Sequence, residues 1–182
     1  MQKSKGFVSA VMFVMTLAMV ACASTRTQKS AGEQVDDTVT TAAVKSALIA
    51  DPVTKAHQID VETFKGTVQL NGFVDTAASK EHASEVARKQ KGVTAVRNNL
   101  TVKTDGSSAS EVYDDSAITA KVKSALAGDP RTKAHQVNVE VRDGVVQLSG
   151  FVDNSEAKST AEELARNVDS VKSVDNEIDV KK

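Results

Sequence analysis

Hydrophobic and polar positions follow one another in the same order twice along the chain, once in each half. In the second half Val122, Ala125 and Leu126 lie at i, i+3 and i+4, the spacing of one helical face. An Asp-Pro pair follows, and it ends the helix because a residue before proline disfavours the helical conformation. The first half has the same pattern at Val44, Ala47 and Leu48, also followed by Asp-Pro.

Each helix is followed by two segments in which apolar and polar residues alternate, as they do in half-buried strands. In the second half the apolar positions are Val137, Val139, Val141, Val146 and Leu148. Asp143-Gly144 stands between these two runs and predicts a two-residue hairpin turn with positive φ at both positions. The first half has Lys65-Gly66 there, a weaker form of the signal.

Two further features complete the unit. Gly72 and Gly150 lie within the second strand, where glycine marks a bulge or a close approach, and we expect a helix to cross the sheet there. The segment from Asp153 to Glu156 resembles a capping box and predicts a second helix. The apolar residues of that helix are Ala157, Ala161, Leu164, Ala165 and Val168, with Ala83, Val86, Ala87 and Gln90 as the weaker first copy. Val174, Ile178 and Val180 then predict a last strand, matching Val96, Leu100 and Val102.

A shift of 78 positions places Asp36–Lys103 on Asp114–Lys181 without a gap, with about half of the positions identical. The fold class predicted is α+β, with two tandem αββαβ modules, each carrying two helices on one face of a three-stranded mixed sheet. The expected organisation is a signal peptide (1–21), a lipidated tether (22–35), module 1 (36–103), a linker (104–113) and module 2 (114–182). The aspartate pairs Asp36-Asp37 and Asp114-Asp115 are expected to cap the first helices.

The N-terminal segment predicts export. Lys3 and Lys5 precede an apolar run of 14 residues, Phe7–Val20, which is shorter than the roughly 20 residues of a membrane span. Cys22 follows and is the only cysteine of the chain. The sequence MVAC resembles a bacterial lipobox, with Met19 in the usual place of leucine. That resemblance implies cleavage before Cys22, a diacylglycerol thioether on its sulfur and acylation, as with palmitate, of its amino group. Ala23 after the cysteine favours the outer membrane, on the periplasmic side.

Composition excludes several other classes of protein. A formal net charge of -1 argues against nucleic-acid binding. A single cysteine excludes an internal disulfide and a cysteine zinc site. The sequence contains no hydrolase elbow, P-loop, zinc-protease or dinucleotide motif, so we expect no enzyme, no cofactor and no metal. His57 and His135 occupy equivalent positions, one per module, and are interpreted as structural.

The motifs of both halves resemble the BON family, named for bacterial osmotic-stress and nodulation proteins. The carrying segments are AxKVKSAL, VNVEVRDGVVQLSGFV and AEELARNVDSVKSVDNEIDV, with counterparts in the first half. The most specific segment contains Gly144 and Gly150, which recur as Gly66 and Gly72. The resemblance implies a phospholipid-binding or envelope-interaction module without catalytic residues.

Two basic clusters are candidates for contact with anionic phospholipid. The preferred one lies in module 2, where we expect Ile118 and Val122 to provide apolar surface near four basic residues. Those four are Lys121, Lys123, Arg131 and Lys133. The other cluster consists of Lys80, Arg88, Lys89 and Lys91 in module 1. For both clusters the alternative is a solvated helix face.

The predicted function is therefore that of an envelope lipoprotein which contacts phospholipid and supports envelope integrity, including under osmotic stress. The alternative is a scaffold whose modules bind envelope proteins or each other. The sheet face without helices, which carries Gln69, Phe73, Gln147 and Phe151, is the candidate surface for that role.

Overall fold

A computed structural model describes residues 31–54, 59–103 and 114–182, and it confirms the α+β class. Module 1 consists of α1 (Ala31–Ala50), β1 (Ile59–Phe64), β2 (Thr67–Val74), α2 (Ala77–Arg88), β3 (Ala95–Asn98) and β4 (Thr101–Val102). Module 2 consists of α3 (Asp115–Gly128), β5 (Val137–Arg142), β6 (Val145–Val152), α4 (Ser155–Arg166) and β7 (Ser173–Val180). A short 3₁₀ turn, Ala134–Gln136, precedes β5.

Each module has the mixed sheet that the sequence predicts. The hairpin strands are antiparallel, and the last strand returns parallel to the second strand after a helix. In module 2 this last strand is continuous, whereas in module 1 it is interrupted between Asn98 and Thr101 and therefore forms the two short strands β3 and β4. The central strand is therefore β2 in module 1 and β6 in module 2.

Alternation along the strands builds one hydrophobic core per module. In module 1 the buried side chains include Val44 and Leu48 of α1, Val68 and Leu70 of β2, and Ala87 of α2. The core of module 2 contains the equivalent residues, and it is a separate cluster. Alanines on α2 and α4 let these helices lie close to the sheet, which suits a chain with 3% aromatic residues.

Both hairpins contain the predicted turn with left-handed backbone. φ is 49° at Lys65 and 73° at Gly66, and the turn of module 2 has nearly the same values. The backbone N–H groups of Lys65 and Gly66 donate to the carboxylate of Asp37, at 2.7 and 2.9 Å. In module 2 the N–H groups of Asp143 and Gly144 donate to Asp115 in the same way.

The cap predictions for the aspartate pairs are therefore partly wrong. Asp114 caps α3 by accepting from the N–H of Ala117. Helix α1, however, begins at Ala31, so Asp36 and Asp37 lie inside it, and Asp37 holds the hairpin turn instead. The last five residues assigned to the tether, 31–35, are helical, with Glu33 in the first turn where a carboxylate favours the helix dipole.

Helix α4 begins one residue later than the capping box at Asp153 predicts. Asn154, not Asp153, caps α4, and its side chain accepts from the N–H of Ala157. The carboxylate of Asp153 pairs with Lys133 and Lys181 instead. In module 1 the cap is Thr76, which accepts from the N–H of Ser79.

The strand glycines have positive φ, 109° at Gly72 and 119° at Gly150. At Gly150 the prediction that a helix crosses the sheet is wrong. A Cβ at Gly150 would lie 2.2 Å from the carbonyl oxygen of Gln136, so the group that approaches is the backbone of the 3₁₀ turn before β5. Glycine is required because only its lack of a side chain permits this contact at that φ.

Candidate binding surfaces

The sheet faces that carry no helices pack against each other. Along β2 the side chains of Val68 and Leu70 enter the core, so Gln69 and Asn71 point to the opposite face, and both are fully buried. Gln147 and Ser149 occupy the equivalent positions of β6 and are also buried. The layers therefore run helices, sheet, sheet, helices.

Hydrogen bonds across this interface are reciprocal. The side-chain oxygen of Gln69 accepts from the N–H of Gly150 at 3.0 Å, and that of Gln147 accepts from the N–H of Gly72. The side-chain amide of Gln69 donates to Asp179 at 2.6 Å. That of Gln147 donates to the carbonyl oxygen of Asn99 at 2.7 Å. The two glutamines are equivalent in the duplicated chain, so the interface has approximate twofold symmetry.

The edges of the interface are also complementary. Asn138 of β5 donates to the carboxylates of Asp60 and Glu62 of β1, at 2.6 and 2.9 Å. Arg97 pairs with Asp179 at 2.9 Å. Phe64 of module 1 stacks on Phe151 of module 2, with ring centroids 5.3 Å apart.

These contacts show what covers the sheet faces that carry no helices. Because Gln69 and Gln147 are at most 1% exposed, the sheet faces that were candidates for an outside protein are used by the modules to bind each other. A binding surface for another molecule must therefore lie on the helical layers or at the edges in this arrangement. One edge holds a cleft of about 500 Å³ between the modules, lined by Glu62, Phe64, Lys133, Asp153 and Lys181 among others.

The structure changes the candidate lipid site of module 2. Ile118 and Val122 are 2% and 0% exposed and belong to the core, so the expectation that they offer apolar surface is wrong. Lys121 and Lys123 are exposed, but each is one residue from Val122, on opposite flanks of the buried face. The helix thus keeps these two cations apart.

The other two cations of that site are paired with carboxylates. Arg131 pairs with Asp129 at 2.6 Å, and these hydrogen bonds lower the pKa of Asp129 to about 2. Hydrogen bonds from Lys133, and then from Lys181, lower the pKa of Asp153 to about 2. Pairing reduces the positive charge that either residue presents to a membrane, so Lys121 and Lys123 are the accessible part of this candidate.

Module 1 exposes aliphatic side chains that sequence reasoning missed. The large hydrophobic residues that are exposed in the described ranges are Val35, Val39, Ile49 and Val53, at 62, 63, 68 and 46%. The first three lie on α1, and Val53 lies three residues after its end. A signal was present in the sequence, because these residues fall outside the i, i+3, i+4 face that contains Val44 and Leu48.

A groove of about 570 Å³ lies beside this aliphatic surface. Val39, Thr40 and Ala43 of α1 form one wall, and Lys65 and Lys91 lie among the residues of the other. Gly92 allows the walls to approach, because a Cβ there would lie 2.3 Å from the hydroxyl of Thr40. Of the second cluster predicted for module 1, Lys91 is the member that lines this groove.

Metal sites, membrane-spanning helices and histidines were considered next among the described residues. Within these ranges no group of three or more metal-ligating side chains occurs, and no helix is long and apolar enough to span a bilayer. His135 is exposed, and His57, Cys22 and the linker 104–113 lie outside the described residues. His82 contacts Asp51 at 2.9 Å, and this hydrogen bond lowers the pKa of Asp51.

The fold defines a duplicated αββαβ module with glycines at the hairpin turn and in the second strand. The family model described as "BON domain" matches residues 36–104 and 114–182, and the chain belongs to this family.

Similar curated proteins cover most of the chain. Osmotically-inducible protein Y of Escherichia coli (strain K12) is 40% identical over 151 residues, which are 82% of this chain and 75% of that protein. Outer membrane lipoprotein DolP of Haemophilus influenzae is 34% identical over 80% of this chain and 75% of its own length. The 21 kDa hemolysin of Actinobacillus pleuropneumoniae has the same identity and coverage. Among solved structures, the C-terminal domain of CdsD of Chlamydia trachomatis covers 76% of this chain and 96% of its own length, with a TM-score of 0.33 and 13% identity.

Proposed function

We propose that this protein is a lipoprotein of the bacterial cell envelope, anchored through Cys22 in the outer membrane and facing the periplasm. Its two BON modules contact phospholipid and support envelope integrity, including under osmotic stress. The proposal assigns no reaction and no cofactor apart from the covalent lipid, and no nucleic-acid partner.

The observation that carries the proposal is the order of the parts. A segment that resembles a lipoprotein signal ends at the only cysteine, and two BON modules follow it. The names of two relatives support the same location and setting, since one is an outer membrane lipoprotein and the other is osmotically inducible. A lipid anchor of two or more acyl chains holds a protein stably on a membrane.

The layer order supports contact through helices. Because the sheet faces bind each other, the helical layers are the broad surfaces left for phospholipid. The accessible cations of α3 are Lys121 and Lys123, and each lysine near an anionic surface contributes about 1 kcal/mol of binding free energy.

Vesicle binding by a soluble chain of residues 23–182 tests phospholipid contact. We expect binding to vesicles that contain anionic lipid. Reversing two charges in Lys121→Glu with Lys123→Glu is expected to weaken it by about 30-fold or more. The matched control is Lys172→Glu with Lys182→Glu, the same charge change at exposed residues of module 2 outside α3. Equal loss in both double variants would reject the α3 site, and no binding to any vesicle would reject phospholipid contact.

The scaffold function remains the rival. A chain that binds no vesicle but captures one specific envelope protein, with capture lost on changing the helical surfaces, would establish it. In that case the partner must contact the helical layers or the interface edges, because Gln69 and Gln147 already bind across the interface.

A further inference from the structure

We propose that two copies of this chain pair through the outer helical layer of module 1, with α1 of one copy antiparallel to α1 of the other. The inference goes beyond the proposed function and does not depend on the anchor at Cys22. Because α3 lies in the helical layer on the other side of the paired sheets, the pairing leaves α3 of each copy exposed. It is therefore compatible with phospholipid contact through Lys121 and Lys123.

The outward side of α1 carries a narrow stripe with the spacing of a coiled-coil seam. The stripe consists of Val35, Val39, Ala42, Ser46 and Ile49, all of them exposed. Their separations of four, three, four and three residues are those of the a and d positions of a heptad. With 100° between successive helical residues, they fall within an arc of about 80°. A helix buries a wider stripe, at least about 100°, in a globular core, so this pattern favours one further helix as the occupant.

The fold does not require this stripe. Module 2 has the same architecture, yet the equivalent positions of α3 that lie in the described residues hold only small side chains, which are Ala117, Ala120, Ser124 and Ala127. The large aliphatic residues are therefore a property of module 1 that folding leaves unexplained. Contiguous exposed apolar surface of this kind marks an interaction site.

The stripe is complementary to its own antiparallel copy. A pair of helices centred on position 44 places Val39 of one copy opposite Ile49 of the other, so large aliphatic residues meet on both sides of the centre. Ala42 falls opposite Ser46 between them, and these small side chains let the helices approach closely. A twofold dimer uses the same patch on both partners, and a self-complementary stripe is what such an interface requires.

Helix α2 lies beside α1 and runs in the opposite direction. Near the end of α1, Asp51 contacts His82 in the first half of α2 at 2.9 Å. Nearer to the start of α1, Thr40 lies against Gly92, which follows α2. The twofold axis that pairs the two α1 helices therefore also places α2 opposite α2 of the second copy, again antiparallel.

The charges of α2 are complementary in this arrangement. Acidic residues lie in its first part and basic residues at and after its end, all of them exposed, and they are Glu81, Glu85, Arg88, Lys89 and Lys91. In an antiparallel pair the bases of one copy face the acids of the other, on both sides of the centre. A parallel pair would place like charges opposite each other, so charge favours the antiparallel direction.

The size of the layer suits a dimer of modest affinity. Helix α1 has 20 residues and is about 30 Å long, and two adjacent helices are roughly 20 Å wide. Two such layers bury on the order of 1,200 Å² in total, which is the lower end of the range for specific interfaces. We therefore expect association in the micromolar range.

Sedimentation velocity of the soluble chain of residues 23–182 tests the pairing. We expect monomer at about 1 µM and dimer at about 300 µM. Val39→Ala with Ile49→Ala, which introduces the alanines of module 2, should raise the Kd by about 30-fold or more, because both copies lose aliphatic surface. Lys121→Glu with Lys123→Glu is the matched control on α3, and it should dimerise like the unchanged chain.

A charge exchange tests the direction of pairing. Glu81→Lys with Glu85→Lys leaves only bases among the five charged residues of α2 and its end, whereas Arg88→Glu with Lys91→Glu gives an excess of acids there. Each variant alone should dimerise at least about 10-fold more weakly than the unchanged chain, since like charges then meet. An equimolar mixture should regain the dimer. Far-ultraviolet circular dichroism of each variant checks that these exposed substitutions leave the fold intact.

The outcomes separate the possible occupants of the stripe. A chain that is monomeric at every concentration would overturn the proposal, and so would a dimer that the alanine variant does not weaken. A mixture of the charge variants that associates no better than either alone would contradict the antiparallel direction. A monomeric chain whose vesicle binding is lost in the alanine variant would assign the stripe to a bilayer instead of a second copy.

Discussion

Gln69 and Gln147 are equivalent residues of the two modules, and each accepts a hydrogen bond from the strand glycine of the opposite module. The amide nitrogen of each side chain donates across the same interface. Equivalent residues of the two copies therefore join the modules. Each glutamine accepts a hydrogen bond from a backbone N–H that is buried at the interface and has no access to water.

Replacing either glutamine should destabilise the pair. Gln69→Ala leaves the N–H of Gly150 buried without its partner, and an unsatisfied buried donor costs about 1–3 kcal/mol of unfolding free energy. By symmetry Gln147→Ala should have a similar effect through Gly72. Urea unfolding of the full chain measures both. Ser124→Ala, at an exposed position, should stay within about 0.5 kcal/mol, and glutamine variants as mild as this control would contradict the interface.

The hairpin turn of module 1 depends on a helix residue. Asp37 is 5% exposed and accepts two backbone N–H bonds, each of which contributes about 1.5–3 kcal/mol when one partner is charged. Asp37→Ala should therefore lower the free energy of unfolding by about 3 kcal/mol or more. The exposed neighbour Asp36 is the control, because Asp36→Ala should change it by less than about 0.5 kcal/mol. Similar midpoints for the two variants in thermal unfolding would refute this role.

Gly150 should not tolerate a side chain. Its φ of 119° disfavours other residues, and a Cβ would meet the carbonyl oxygen of Gln136 at 2.2 Å. Gly150→Ala is expected to cost about 3 kcal/mol or more, because backbone has to move. At Gly128, in the last turn of α3, a Cβ would have nothing within 4 Å. Gly128→Ala should be neutral or stabilising by up to about 1 kcal/mol, and the reverse order of the two variants in urea unfolding would contradict the structure.

Acid should weaken module 2 through Asp153. Lys133 and Lys181 lower the pKa of this carboxyl to about 2 in the folded protein, below its ordinary value of about 3.9 in an unfolded chain. A depressed pKa stabilises the fold above the unfolded value, and this stabilisation is lost as the pH falls from about 4 to about 2. Across that interval the unfolding free energy of Asp153→Asn should decline less than that of the unchanged protein. Parallel declines in urea titrations at each pH would show that the two lysines do not act through this group.

Much of the fold could be predicted because each sequence pattern occurs twice in the duplicated chain. The helix faces, the Asp-Pro ends and the alternating strands are local signals, and the structure follows them. The exact start of α1 could not be predicted, because an aspartate suits two roles equally well. Asp36 and Asp37 could cap the first turn of a helix, or lie within the helix and accept hydrogen bonds from a hairpin turn. Only the tertiary position of Lys65 and Gly66 shows which role Asp37 has.

The candidate site was harder to predict than the fold. Ile118 appeared to be surface because it lies near lysines in sequence, yet its place in the helical period puts it in the core. Arg131 and Lys133 were counted as free charges, and their partners Asp129 and Asp153 became evident only in three dimensions. The exposure of Val39 and Ile49 was missed, although both lie outside the helical face that contains Val44 and Leu48.

The mass of the mature N-terminal peptide tests the central claim most directly, because the proposed membrane location depends on the anchor. Protein isolated from cell envelopes is digested and its N-terminal fragment is analysed by mass spectrometry. The account predicts a chain that begins at Cys22 and carries a diacylglycerol thioether with an acylated amino group. A chain that begins at another residue, or a Cys22 with an unmodified thiol, would contradict it.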